Sequence, residues 1–215
     1  NNADHPRTKE LRAQIREKLF DDFFAGDVET KPFLVGERVV LDDAIAILDG
    51  STIKFTKDLH NGDEVTVEAE LTRETNTSYK DGILDTSPTY EGIPVNILKV
   101  KTDKGKKYSI VLEHPTSRKA IKQAMKKGGI YKEGSGEENR IAQEMFTEGI
   151  GAAYLINAHK AQGSTYDTVY VDYENIMRSA QDSIDPKTGK LQRWGPDFLT
   201  RVKALYVATS RPRNK

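Results

Sequence analysis

The sequence predicts an α/β protein whose middle is a small β-barrel inserted into a larger fold, and three observations carry that expectation. The first twenty residues have the spacing of an amphipathic helix. From about residue 42 to 113, short segments of alternating hydrophobicity follow one another between turn signals. The last 65 residues then return to a strand, loop, strand and helix pattern. With 36% hydrophobic residues, the 215-residue chain has apolar material for one large domain or two small ones.

Taken in order, residues 6–20 place Leu11, Ile15 and Leu19 at i, i+4 and i+8 with charges elsewhere, and Pro6 stands near the start as a first-turn residue. Residues 33–41 read as a strand around Val39 and Val40. Residues 52–56 alternate through Ile53 and Phe55, residues 65–71 alternate again, and Asn61-Gly62 between them is a hairpin signal. Segments 95–100 and 108–112 flank Asp103-Lys104-Gly105 and predict a second hairpin. Ser117 is the expected N-cap of a helix over 118–127 that Gly128-Gly129 stops. Gly134-Ser135-Gly136 breaks the chain before a helix over 137–146. Beyond it come strands over 153–157 and 168–172 and a helix from about Pro196. Between them, residues 178–195 carry Asp185-Pro186 and Thr188-Gly189, too many breakers for a core element.

Composition bounds the function. Lys+Arg and Asp+Glu both total 33, so any attraction to nucleic acid must be local. Between Lys99 and Lys127 stand ten basic residues, Lys99, Lys101, Lys104, Lys106, Lys107, Arg118, Lys119, Lys122, Lys126 and Lys127, against Asp103 and Glu113, a local net of +8. Such a run is ordinarily a solvated face. Lys119, Lys122 and Lys126, near one helical face at i, i+3 and i+7, are the candidates for contact with a DNA backbone. Tyr108, Tyr131 and Trp194 read as core-packing residues rather than base-stacking ones. The absence of cysteine excludes disulfides, thiolate catalysis and Cys-ligated zinc. His5, His60, His114 and His159 are scattered without ligand spacing, so no metal site is expected. Apolar runs are only a few residues long, which predicts no membrane span. The start at Asn1-Asn2, without an initiator Met, reads as a piece of something longer.

Two blocks carry a resemblance. Ala158-His159-Lys160-Ala161-Gln162-Gly163-Ser164-Thr165 is followed by the apolar segment 168–172, and Ala204-Leu205-Tyr206-Val207-Ala208-Thr209-Ser210-Arg211-Pro212-Arg213 lies about 50 residues on. They resemble motifs V and VI of superfamily 1 helicases. Asn1-Asn2 with the Arg12 and Arg16 helix looks like the tail of motif IV. Phe33-Leu34-Val35-Gly36-Glu37-Arg38-Val39-Val40-Leu41 and Leu59-His60-Asn61-Gly62-Asp63 resemble the Gly-Asp/Glu-x-Val and Asn-Gly elements that open an SH3-like domain. Together they make the chain similar to the C-terminal half of Dda/RecD-like superfamily 1B DNA helicases.

That resemblance implies a RecA-like (P-loop NTPase-type) parallel-sheet domain 2A from residues 1–41 and 151–215, with an SH3-like β-barrel domain 2B plus helices inserted over 42–150. It implies ATP-driven 5′ to 3′ translocation on single-stranded DNA. Arg211 is the expected catalytic arginine finger, with Gln162 and Gly163 beside it at the ATP. His159, Lys160 and Thr165 are expected at the DNA together with Lys119, Lys122 and Lys126. The ordinary readings are a helix-end arginine for Arg211 and a satisfied loop residue for His159. The sequence has no Gly-x-x-x-x-Gly-Lys-Ser/Thr and no Walker B acidic pair, so ATP and Mg²⁺ are expected to be held mainly by an N-terminal RecA-like domain 1A outside it. For these residues alone no cofactor is expected. Expected partners are single-stranded DNA, domain 1A and replication or repair proteins, in the cytoplasm of a bacterial or phage-infected cell and associated with the nucleoid. The alternatives are a non-catalytic DNA- or protein-binding module and a RecD-type subunit of a nuclease or repair complex.

Overall fold

The computed structural model describes residues 6–20, 23, 31–42, 44–82, 86–147, 149–155, 169–171, 173, 182–184, 191–193 and 198–210. The chain divides into two compact units, Asn1–Leu155 and Ile156–Lys215.

The first unit is mixed α/β. Helix α1 (Pro6–Leu19) precedes β1 (Arg38–Asp42), β2 (Ala46–Asp49), β3 (Thr52–Phe55), β4 (Glu64–Val67), β5 (Thr72–Glu74), β6 (Ser78–Lys80), β7 (Thr89–Glu91), β8 (Val95–Lys101) and β9 (Lys107–Glu113). Helices α2 (Ser117–Lys127) and α3 (Glu137–Met145) and strand β10 (Gly149–Ala152) complete it. The ten strands form one sheet in the order β10-β1-β4-β8-β9-β2-β3-β6-β7, with β5 also on β8. Among the described pairings only β3 with β6 is parallel. Connections of a few residues join neighbouring antiparallel strands, whereas parallel neighbours need crossovers of a dozen or more.

The β8–β9 hairpin is the spine of the sheet, in register from Val95↔Glu113 to Lys101↔Lys107. Alternation along it serves two cores. Val95, Ile97 and Val111 face one cluster with Ile121, Met125, Ile141 and Met145 of α2 and α3. Leu98, Val100 and Ile110 face the other with Val39, Leu41, Ile45, Val65 and Val67. The second cluster is enclosed by curvature. Strands β1 and β2 stand at the two ends of the run β1-β4-β8-β9-β2, with only residues 43–45 between them in sequence. The four steps from Asp42 to Ala46 reach at most about 14 Å, whereas four interstrand spacings in a flat sheet measure about 19 Å. These five strands therefore curl.

Several sequence expectations are corrected here. Asn61-Gly62 does not close a hairpin between segments 52–56 and 65–71, because β3 pairs with β2 and β6 while β4 pairs with β1 and β8. Gly62, at φ 90°, instead turns the chain beside β1 and donates its N–H to the Leu41 carbonyl at 2.8 Å. The two-residue hairpin is Asp49-Gly50-Ser51-Thr52, with Asp49 opposite Thr52 and Gly50 at φ 61°. Ser117 is the first residue of α2 rather than its N-cap, and its hydroxyl is spent between the His114 N–H (2.9 Å) and the Pro94 carbonyl (2.6 Å). The strand expected over 33–41 begins only at Arg38, since a turn closes from the Glu37 N–H to the Leu34 carbonyl. Of the strand expected over 153–157, residues 153–155 form a turn and 156–157 lie outside the described residues; the strand before them is β10, antiparallel to β1 from Asp42↔Gly149 to Val39↔Ala152.

Helix α1 carries the sharpest departure. Leu19, expected on its apolar face, is exposed, while Arg16 is fully buried. Helix α3 is seated by polar contacts as well as by its core residues. Arg140 joins Glu137 (2.9 Å), Glu144 (2.6 Å) and Asp81 at the end of β6 (3.0 Å).

The described part of the second unit holds β11 (Asp182–Ile184) and β12 (Leu191–Arg193), paired antiparallel, and α4 (Phe198–Thr209). The expected irregular stretch thus contains a short two-stranded ribbon, and Val169–Val171, expected in a strand, form none. In α4, Ala208 is buried and Leu205 half-buried, while Val202 and Thr209 are exposed. Thr209 returns its hydroxyl to the Leu205 carbonyl at 2.9 Å. No helix among the described residues is long and apolar enough to cross a membrane.

Candidate nucleic-acid interface

Of the residues singled out by sequence, Lys119, Lys122 and Lys126 lie in the described structure. His159, Lys160, Gln162, Gly163, Thr165 and Arg211, and also Trp194, lie outside the described residues.

Ser117, Ile121 and Met125, at i, i+4 and i+8, are the buried residues of α2. At roughly 100° per residue, this places Lys119, Lys122 and Lys126 on the opposite side of the helix, within about 60° of one another. The helix ends as Gly128-Gly129 predicts. The Gly129 N–H reaches the Lys126 carbonyl at 3.2 Å and the Ile130 N–H the Met125 carbonyl at 3.1 Å, with Gly129 at φ 70°, a conformation that favours glycine. This reversal lays Tyr131 back along the outer face of α2. Lys122 Nζ lies 5.0 Å and Lys126 Nζ 5.2 Å from the Tyr131 ring centroid. Interaction with the Tyr131 hydroxyl raises the Lys122 pKa, and the charges of Glu138 and Glu133 add to the shift, so Lys122 is firmly cationic. Tyr131 is only partly the core residue that the sequence suggested: one side packs against the α2–α3 core and the other carries the lysine cap.

The basic run divides in two. Along the β8–β9 hairpin, Lys106 is paired with Asp58, Lys107 with Glu68 at 2.9 Å, and Asp103 takes Arg38 at 2.9 Å. At the start of α2, Arg118 holds Glu113 with two hydrogen bonds of 2.6 and 2.9 Å. Lys99, Lys101 and Lys104 are exposed beside these pairs. Along α2 itself, Lys119, Lys126 and Lys127 have no carboxylate within ion-pair distance among the described residues. The first turn of α2 contains no acidic residue, so Lys119 stands uncompensated at the positive end of the helix dipole. Lys99, Lys101 and Lys104 likewise have no carboxylate within ion-pair distance among the described residues, so unpaired cations stand both on the hairpin and on α2; Lys122 and Lys126 of α2 differ in lying beside an aromatic ring.

A second charge cluster is spent internally. Arg16, 0% exposed, donates to Glu37, 1% exposed, through Nε at 3.0 Å and Nη2 at 2.5 Å. It also donates to the Lys31 and Pro32 carbonyls at 3.1 and 2.8 Å. The Tyr154 hydroxyl donates to Glu37 Oε1 at 2.6 Å, and Arg12 reaches the same carboxylate at 3.3 Å. Burial alone would push the Glu37 pKa up, but hydrogen bonds from Arg16, Tyr154 and the Leu34 N–H, with the charge of Arg12, hold it below the ordinary value. Burial, and then the hydrogen bond to Glu37, raise Tyr154. Sequence reasoning missed this cluster. Its signal was a single carboxylate, Glu37, inside the apolar segment 33–41.

A cleft of about 360 Å³ opens between Phe33, Leu112, Phe146 and Ile150. Thr147, the one hydroxyl lining it, is bound to the Ala46 N–H (2.9 Å) and carbonyl (3.3 Å), so the cleft offers no activated nucleophile. Among the described residues no group of His, Cys, Asp and Glu is arranged to hold a metal ion. In comparisons with known proteins, no family model matches the chain and no curated protein matches it.

Proposed function

We propose that the chain is the part of an ATP-driven, single-strand-translocating DNA helicase of superfamily 1B that supplies RecA-like domain 2A, the SH3-like domain 2B and the arginine finger. The observation that carries this reading is the pair of blocks 158–165 and 204–213, in that order and about 50 residues apart. The curled run β1-β4-β8-β9-β2 supports it by supplying a small barrel-like core whose strands, apart from β1 in the segment 1–41 expected in domain 2A, fall in the segment 42–150 where an SH3-like domain is expected. ATP would be bound by a P-loop domain outside these 215 residues. On closure, Arg211 would meet charge developing on the γ-phosphoryl group, while the His159–Thr165 loop follows the strand and couples hydrolysis to stepping.

The test compares the chain alone with a protein that also carries its P-loop domain. The chain alone is expected to hydrolyse no ATP in the presence of DNA. In the longer protein Arg211→Ala should retain nucleotide binding and lose turnover by about 10³. Unchanged turnover would reduce Arg211 to a helix end. One observation favours a second reading as a non-catalytic DNA-binding module: the lysine face of α2 lies wholly within the first unit and needs neither block. A Walker A sequence in the same protein decides for the motor.

A further inference from the structure

Tyr131 is the one aromatic ring among the described residues that carries two lysine ammoniums, those of Lys122 and Lys126. It is held from behind by the α2–α3 core and fixed in place by the Gly128-Gly129 reversal. Its outer side carries the flexible side chains of the half-buried Lys122 and the exposed Lys126. Lys119 extends the same face with no carboxylate partner among the described residues. From Lys119 to Lys126 the face runs roughly 10 Å along the helix axis, long enough to reach the phosphates on either side of one base.

We propose that this face is a seat for single-stranded nucleic acid, in which one base displaces the lysine cap to stack on Tyr131 and Lys119, Lys122 and Lys126 turn to the phosphates on either side. The exchange is favourable in its parts. An exposed cation–π contact is among the weaker interactions, whereas a base stacked on an aromatic ring is a principal source of sequence-tolerant affinity, and each ammonium that leaves the ring gains a phosphate. A duplex keeps its bases stacked inside and offers only phosphates to the same face, so the ring makes the seat selective for single strands. This rests on reading the protein as a single-strand binder, and requires neither the motor nor ATP.

The test is fluorescence anisotropy of a labelled oligothymidylate with the 215-residue chain, without nucleotide, over a range of salt. Tyr131→Leu, which keeps an apolar side chain against the core, should weaken binding about tenfold at every salt concentration and leave the log–log salt slope unchanged. Tyr131→Phe should bind like the parent chain. The triple change Lys119→Gln, Lys122→Gln and Lys126→Gln should instead flatten the slope by about 2. Far-ultraviolet circular dichroism of each variant checks that α2 is intact. If the parent chain binds the oligonucleotide and Tyr131→Leu binds equally well, the seat is overturned while the helicase reading stands. If Tyr131→Phe loses as much as Tyr131→Leu, the hydroxyl rather than ring stacking is responsible, and the proposal also falls. Equal affinity for a duplex, or a Tyr131→Leu effect confined to vesicles of anionic lipid, overturns it as well. Failure of the Arg211→Ala test would remove the motor and leave the seat untouched.

Discussion

Two basic clusters lie within the first unit, and they use cationic side chains in opposite ways. Arg16 and Arg12 converge on one carboxylate at the junction of α1, β1 and the residues after β10, where Arg16 is completely buried and its donors go to Glu37, Tyr154 and two carbonyls. Lys119, Lys122 and Lys126 lie across α2 from its core residues, and their contacts are with solvent and one ring. The difference follows from the side chains. A planar guanidinium can satisfy several fixed acceptors at once and so tolerates burial, whereas an ammonium on a flexible stem is strongly hydrated and stays where it can be released. Arginine here holds two ends of a folded unit together, whereas the lysines of α2 stay at the surface.

The comparison breaks most visibly if the buried pair is cut. Glu37→Ala would leave the Arg16 guanidinium buried without its counter-charge, and chemical denaturation should show a loss of about 3–5 kcal/mol. Replacing both partners together, Arg16→Met with Glu37→Leu, should cost far less, because no uncompensated charge remains. If the single and double changes cost the same, the cluster is mere packing and its contrast with α2 disappears.

The same cluster sets a pH window. Glu37 is held below its ordinary value of 4.5, so its contribution to stability is complete above that pH and is lost as pH falls through the folded-state value. Tyr154 is held above its ordinary value of 10.0, so its contribution is complete below that pH and is lost as pH rises through the folded-state value. Stability measured against pH should therefore fall at both ends, and Tyr154→Phe should reduce the alkaline loss, to which Tyr79 and Tyr90, also raised by burial, contribute, while keeping most of the acid one. An alkaline limb unaltered in Tyr154→Phe would assign it to other groups.

A smaller effect tests how the buried cluster is positioned. A Cβ on Gly149 would lie 2.2 Å from Asp42 Cβ, an impossible approach for paired strands. Gly149→Ala should force β10 from β1 at a cost of about 1–3 kcal/mol and carry Tyr154 away from Glu37. Hydrogen exchange at Val39 and Leu41 reports this, and unchanged protection there would show that the strand pair yields without strain.

How much of this was legible in the sequence depended on whether the deciding interaction was local. The β8–β9 hairpin, both helices beyond it and the Gly128-Gly129 stop were readable, because alternation, helical spacing and a left-handed glycine are properties of a few adjacent residues. The partners of β3 and β4 were not. Asn61-Gly62 looked like their hairpin, but register is settled by which strands can share a curled core, a contest among residues far apart in the chain. Arg16 was misread for the same reason: its carboxylate is 21 residues away and its phenol 138. At the candidate interface, the count of +8 saw charges but not their pairing. Structure removed Lys106, Lys107 and Arg118 from the unpaired set and left Lys99, Lys101 and Lys104 on the hairpin and the lysines of α2. Tyr131 was visible only as an aromatic residue after two glycines, and the fold supplied the lysines that cap it.

The smallest expected effect separates stability from function on α2. Lys119 occupies the first turn, where a cation opposes the helix dipole and an anion would favour it. No carboxylate among the described residues offsets it, unlike Arg118, which has Glu113. Selection for stability alone would place Glu or Asp here, so Lys119→Glu should raise Tm by about 1–3 °C. If the α2 face serves an anionic strand, the same change should weaken single-strand binding more than Lys119→Gln does, because it adds repulsion to the lost contact. A gain in Tm with a loss of affinity would show that the lysine is kept for its ligand at the expense of the helix. A gain in Tm with unchanged affinity would make Lys119 an ordinary solvated cation, and the contrast between the two clusters would then be one of burial alone.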